Sequence, residues 1–345
     1  MQRNKLMSVI AALAIGAVGL AGCSTGGTSA QSEPQSTPQS EPAAAPGRTI
    51  DTMFGPVELP NKYPDELKVV ALGWSDADAA LALGVKPVAV YDWMGFGDEA
   101  KGVGPWATEL FGEETPTVLP NVDQTVDYEA IAALQPDLIL NVRSSGDAEQ
   151  YEKLSSIAPT VSGPEGTGPF AVDWLTQFSM IAEALGLSEQ GTQVLDNAKQ
   201  KIDDVRNEHP EFAGFTAVVG TKFGDAYGAY LPGDTRWDLL EQLGFILNPA
   251  VADLPAQGFF APISAEQISA LEANVAVLFP IGYTLEELES DPLIASLAVV
   301  QDGRAVILAE DSPEAKAFSA GSILSVPLAA EDLAPQLAEV VARAQ

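Results

Sequence analysis

The chain has 345 residues, 46% of them apolar, which suits one large domain or two of ordinary size with substantial cores. Its 48 acidic residues stand against 17 basic ones, a formal charge of −31 that argues against nucleic acid and anionic lipid as direct partners. A neutral or cationic small ligand, or a basic protein, is compatible with such a surface.

Residues 1–23 read MQRNKLMSVIAALAIGAVGLAGC, with Arg3 and Lys5 first, an apolar stretch over 6–20, then Leu20-Ala21-Gly22-Cys23. This is an export signal over 1–22, too short and wrongly flanked for a transmembrane span. Its last four residues resemble the bacterial lipobox, which implies cleavage before Cys23 and a diacylglyceryl thioether on the sulfur. Loss of Arg3 and Lys5 takes the mature charge to −33, from 15 basic and 48 acidic residues. Cys23 is the single cysteine, so the fold must stand on its core without disulfides. The segment 23–48 is rich in Ser, Pro and Gln and lacks large apolar groups. It cannot offset the entropy of ordering and reads as a flexible tether, semi-extended by its prolines.

Folded sequence begins near residue 49. LKVVAL at 67–72 is a buried-strand run, GWSD its loop, and a short helix follows to Leu83, closed by Gly84. PVAVY at 87–91 is the next strand. VDYEAIAALQPDLILN at 126–141 supplies a helix from Asp127 and a strand at 137–141, with Pro136 barring the helix from continuing. Strands alternating with helices in this way predict parallel βα units and a first lobe over 49–168. Segment 169–187 carries one apolar stripe of Val172, Leu175, Phe178, Ala182 and Leu185, and is expected to be the connecting helix between two lobes. A second helix over 188–208 stops before Pro210.

From residue 215 the same grammar returns: a strand at 215–221, a helix at 235–245, then ISAEQISALEANVAVLF at 263–279, again a capped helix and a strand. Asp127 and Ser264 are the two capping residues, and Glu129 and Glu266 each follow two places later. The expected fold class is therefore α/β, two similar parallel-sheet lobes (49–168 and 188–345) joined by a single long helix, with a ligand cleft between them.

In open parallel sheets, ligands meet the loops outside the carboxyl ends of the strands. The residues placed there are Trp74 and Asp76; Asp92, Trp93 and Phe96; Arg143 and Ser144; Lys222, Phe223, Tyr227 and Tyr230; and Tyr283, with Arg236 at a helix start on the same side. Aromatic faces would bury an apolar ligand shell, and arginine donors would meet its outer oxygens. The strongest candidates are Trp74, Trp93, Arg143, Tyr227, Arg236 and Tyr283. The competing reading is that the tryptophans merely cover sheet edges. His209 is the single histidine, between Glu208 and Pro210, which leaves no histidine-built metal site. No free thiol, nucleophile elbow, Walker motif or dinucleotide fingerprint is present, so neither catalysis nor nucleotide binding has support.

The export signal and tether, followed by VVALGWSDADAALALGVKPVAVYDW, DYEAIAALQPDLIL, YEKLSSIAPTV and the 169–187 helix, resemble the iron–siderophore substrate-binding proteins of ABC importers. The resemblance covers nearly all of the chain from residue 49. It implies a lipid-anchored, monomeric receptor on the extracytoplasmic face of the cell membrane. A ferric siderophore would lie between the lobes with little closure, no resident cofactor would be present, and cargo would pass to a permease dimer powered by a cytoplasmic ATPase. Glu129 and Glu266 would each contact one permease subunit. The rival account is that both are first-turn acids favoured by the helix macrodipole. Haem and cobalamin receptors share the architecture, and Tyr227, Tyr230 and Tyr283 are candidate phenolate ligands for haem iron.

Overall fold

The computed structural model describes residues 48–121 and 125–345; the export signal, Cys23 and the tether up to residue 47 lie outside the described residues. Arg48, read as the end of the tether, is already tied to the fold. Its carbonyl accepts from the Leu59 amide at 2.8 Å, and its guanidinium donates to the carbonyls of Glu183 and Pro60 at 3.3 and 3.4 Å. An antiparallel hairpin, β1 (Thr49–Thr52) and β2 (Gly55–Glu58), opens the folded part.

Aliphatic runs without polar alternation suit strands covered on both faces. In the first lobe β3 (Val69–Ala71), β6 (Leu138–Asn141) and β7 (Thr160–Ser162) are buried at every position. With β4 (Ala89–Asp92) and β5 (Thr117–Pro120) they form an all-parallel sheet in the order β5-β4-β3-β6-β7. Parallel neighbours need crossovers, and the helices Asp76–Ala82, Tyr128–Leu134 and Ala148–Ser155 provide them.

The second lobe contains β8 (Thr216–Phe223), β9 (Ala226–Tyr230), β10 (Ile246–Leu247), β11 (Phe260–Ile263), β12 (Val275–Ile281) and β13 (Ala305–Ile307). Its parallel core repeats the first: β8 lies between β10 and β12 with β13 beyond, as β3 lies between β4 and β6 with β7 beyond. The repeated phrase falls at the same place in each. The helix Tyr128–Leu134 feeds β6, and a 3₁₀ helix, Ala265–Leu271, feeds β12. The second sheet is mixed, however, where an all-parallel one was expected. β8 is eight residues long and β10 pairs only with Thr216 and Ala217, so the rest of that edge would be bare. β9 covers it in antiparallel register over Gly220–Phe223 and is itself paired with β11.

Within 169–187 the helix is Trp174–Ala184, capped by Asp173, whose carboxylate accepts from the Leu175 and Thr176 amides at 3.1 and 3.0 Å. Eleven residues give only about 16 Å of helix, too little to cross between two sheets. It packs instead on Asp76–Ala82 in the first lobe. The crossing is made by the 21-residue helix Ser188–Glu208, about 30 Å long, which packs on Trp174–Ala184 and on the C-terminal helix Ser325–Ala344. Gly191 permits the first of these contacts, because a Cβ there would lie 2.5 Å from the Ala182 Cβ. One hydrophobic cluster runs through both lobes, joining Leu140, Trp174 and Phe178 to Trp237, Val277 and Leu333.

Candidate ligand cleft

A cavity of about 790 Å³ opens between the lobes at the carboxyl ends of both sheets. Its first-lobe wall is aromatic. Trp74 follows β3 and Trp93 follows β4, and their rings stack 4.4 Å apart at 8°. Phe170 stacks on Trp74 in turn, at 4.0 Å and 21°. Phe170 holds φ at +55°, a strained conformation for a side chain of this size. Two hydrogen bonds pin it there: its amide donates to the Ser144 carbonyl at 2.8 Å, and its carbonyl accepts from Arg143 Nε at 3.4 Å. Gln177 Nε2 donates to the Trp74 carbonyl at 2.7 Å, so the adjoining helix fixes the middle of the stack.

Tyr230 from β9, Phe260 from β11 and Phe279 from β12 form the opposite wall. Tyr230 stacks on Phe279 at 5.8 Å and meets Phe260 edge-on at 5.4 Å. The Arg236 guanidinium lies 3.7 Å above the Tyr230 ring. Asp234 caps the helix Thr235–Gln242 and also forks onto Arg236, with Nε–Oδ1 at 2.7 Å and Nη2–Oδ2 at 2.6 Å. Burial alone would push the Arg236 pKa down, but the Asp234 charge and hydrogen bonds outweigh it and hold the pKa above the usual arginine range.

Arg143 forms the floor and is 4% exposed. Its Nη1 crosses to the second lobe and donates to the carbonyls of Ala320 and Gly321 at 3.3 and 3.2 Å. Gly321 allows that approach, since its φ is +59° and a Cβ would sit 2.9 Å from Arg143 Nη1. Burial lowers the Arg143 pKa against the pull of Asp234. Two more bonds close the seam between the lobes: Ser75 Oγ donates to the Ala320 carbonyl at 2.7 Å, and Ser322 Oγ donates to Asp78 Oδ2 at 2.6 Å. Trp106 Nε1 also donates to Asp78 at 2.6 Å. Asp76, on the same helix, accepts from the Val142 amide at 2.7 Å and from Gln177 Nε2 at 2.6 Å. Burial pushes both carboxyls up, to about 6 in each case.

Of the six ligand candidates, the structure brings together Trp74, Trp93, Arg143 and Arg236. It does not bring Tyr227 or Tyr283 to the cavity. Tyr227 and Tyr230 are three residues apart on β9, and side chains alternate between the faces of a strand. Tyr230 therefore faces the cleft and Tyr227 the far side, where its hydroxyl donates to Asp291 Oδ2 at 2.8 Å. Burial and Asp291 push that phenol up to about 12. Tyr283 lies beyond β12, 5.2 Å beneath the Lys222 ammonium. Sequence reasoning missed Phe260, Phe279, Glu310 and Lys316 as cavity-lining residues, and Phe170 as the ring that backs Trp74.

Glu129 and Glu266 are exposed, each the second residue of its helix, and neither carboxylate has a partner among the described residues. Asp127 Oδ1 accepts from the Ala130 amide at 2.9 Å, and Ser264 forms a capping box with Gln267. Both helix starts are thus satisfied without the glutamates.

Two α/β lobes bridged by one helix, with aromatic rings and two arginines converging from both sheets, define a two-lobed ligand receptor. The chain belongs to the periplasmic binding protein family, whose model matches residues 69–311. It is 26% identical over 245 residues to the Fe(3+)-citrate-binding protein YfmC of Bacillus subtilis, covering 69% of this chain and 71% of that one. With the ferric enterobactin-binding periplasmic protein FepB of Escherichia coli it shares 26% over 209 residues, 57% of this chain and 64% of that one. Among solved structures, the iron-uptake substrate-binding protein PiaA of Streptococcus pneumoniae in complex with ferrichrome aligns at a TM-score of 0.72 and 25% identity, covering 86% of this chain and 99% of that one. A periplasmic solute-binding protein of Mycobacterium smegmatis aligns at 0.72 and 31% identity, with coverage of 86% and 99%.

Proposed function

We propose that this protein is an extracytoplasmic receptor that binds a ferric siderophore in the interlobe cleft and delivers it to an ABC permease for iron uptake. The observation that carries this reading is the pairing of a stacked Trp74–Trp93 wall, backed by Phe170, with the buried Arg143 and the largely buried Arg236 across one large cavity. The rings suit the organic shell of a chelate, and the guanidinium nitrogens suit the oxygens around its metal. Arg143 Nη2 and Arg236 Nη1 have no partner among the described residues and remain available as donors. Iron enters and leaves with its chelator, as cargo. The reading includes no resident cofactor, no catalysis and a monomeric state. A haem receptor fits less well: Tyr227 and Tyr283 lie away from the cavity, and burial pushes the Tyr230 phenol up, against forming a phenolate.

Export through the 1–22 signal, lipidation of Cys23 and the tether from there to residue 47 would hold the receptor at the outer face of the membrane. Glu129 and Glu266 would dock one lobe on each permease subunit, since their exposed carboxylates have no partner among the described residues. Tryptophan quenching by ferric siderophores, haem and cobalamin tests the cargo directly, because Trp74 and Trp93 line the cavity. Quenching by a ferric siderophore is expected, and Arg143→Ala and Arg236→Ala should each weaken it by about 2–5 kcal/mol. Saturable quenching by haem or cobalamin alone would overturn the assignment.

A further inference from the structure

The charge of the cleft selects among ferric chelates. Arg143, Arg236 and Lys316 line the cavity, and so do Glu310 and Asp311. A third carboxylate, Asp234, is forked to Arg236 and 1% exposed. Three cations against three anions leave the cleft formally neutral. Asp76, which accepts from the Arg143 amide, only lowers that sum when ionised. Arg143 spends its Nε and Nη1 donors on the carbonyls of Phe170, Ala320 and Gly321, so its charge is already directed at protein oxygens. Around this neutral cleft the whole chain carries −31, a field that repels anions as they approach.

Iron chelators differ sharply in the charge they leave on the complex. Three singly charged hydroxamates balance ferric ion and give an uncharged chelate. Three doubly charged catecholates leave a trianion, and citrate-type chelates are anionic as well. A trianion buried in a cleft with no positive excess would lack a counter-charge, which is costly in a partly desolvated site. An uncharged chelate loses nothing there, keeps its apolar contacts with the aromatic walls, and can still accept from Arg143 Nη2 and Arg236 Nη1.

We infer that the cargo is a ferric tris-hydroxamate, uncharged or carrying a positive side group, and that the three carboxylates of the cleft, Asp234 paired with Arg236 and Glu310 and Asp311 at the rim, together set this choice. The inference rests on the ferric-siderophore reading above and narrows it. The relatives do not decide the matter, because those named for citrate, enterobactin and ferrichrome are about equally distant from this chain, at 25–26% identity.

The test is tryptophan quenching of the full-length protein by ferrichrome, ferric enterobactin and ferric citrate at fixed ionic strength. Ferrichrome should bind about 100-fold or more tightly than either anion, since like charge or a missing counter-charge costs several kcal/mol. A second measurement uses Glu310→Gln/Asp311→Asn, which adds positive charge at the cavity rim and leaves the buried Asp234–Arg236 pair intact. It should shift the ratio of affinities at least about tenfold toward the anionic chelates. Ferric enterobactin or ferric citrate binding as tightly as ferrichrome would overturn the charge inference and leave the siderophore reading standing. Binding of haem or cobalamin with no ferric chelate bound at all would overturn both.

Discussion

Asp78 shows how a single buried carboxylate can be put to a test of pH. It is 4% exposed and its two hydrogen bonds reach Trp106 in its own lobe and Ser322 in the other. Burial raises its pKa from 3.8 to about 6, so the folded state holds the proton more tightly than the unfolded chain does. The sign follows from that. The contribution of the group to stability is fully present below about pH 4 and is lost as the pH rises through about 6, amounting to about 3 kcal/mol. Asp78→Asn keeps the shape and an acceptor oxygen but removes the titration. Wild type should therefore lose stability relative to Asp78→Asn between about pH 4 and 6, and the two curves should run parallel above it. Thermal melts across that range check this, and curves that stay parallel from pH 4 would mean Asp78 is ionised throughout. The same residue scale explains which binding residues could be read from sequence. Trp74, Trp93 and Arg143 fall one to three places beyond an apolar strand, and Arg236 begins a helix, so strand ends and a helix start locate them. Tyr227 and Tyr230 required one further step, the alternation of faces along β9.

At the scale of elements, the repeated helix–strand phrase was legible because both copies carry a cap, an apolar stripe and a buried strand in the same order. Their equivalence in the structure is topological: β6 pairs with β3 and β12 with β8, each the first strand of its own lobe's parallel core. The hairpin that makes the second sheet mixed was not legible. β11 is the four-residue Phe-Ala-Pro-Ile, too short and too interrupted for a period to show, so Phe260 had no signal. Lys316 and Glu310 follow β13, a three-residue strand with no sequence mark of its own. The connecting helix was misplaced by one element because the stripe in 172–185 is more apolar than that of Ser188–Glu208, and apolarity marks burial rather than span. The two glutamates belong to this scale as well. Since Asp127 and the Ser264–Gln267 box already satisfy their helix starts, Glu129→Ala/Glu266→Ala should leave melting temperature and cargo affinity nearly intact while abolishing uptake. Normal uptake by that variant, at a normal protein level, would reduce both residues to first-turn acids.

At the scale of the whole molecule, Ser75, Asp78 and Arg143 all grip the single turn at 320–322, and a shared core and the helix Ser188–Glu208 run from one lobe to the other. Halves held in this way have little room to swing. Cargo should enter in one kinetic phase, with an observed rate linear in chelate concentration, and stopped-flow quenching that saturates would reveal a closing step. A stiff receptor also has little means of announcing that it is full. On the proposed docking, Glu129 and Glu266 would stand the same distance apart in the empty and the loaded protein, so a permease would meet both forms with nearly the same grip. Empty receptors would then occupy permeases to no purpose, and uptake in reconstituted vesicles should fall when cargo-free receptor is added in excess.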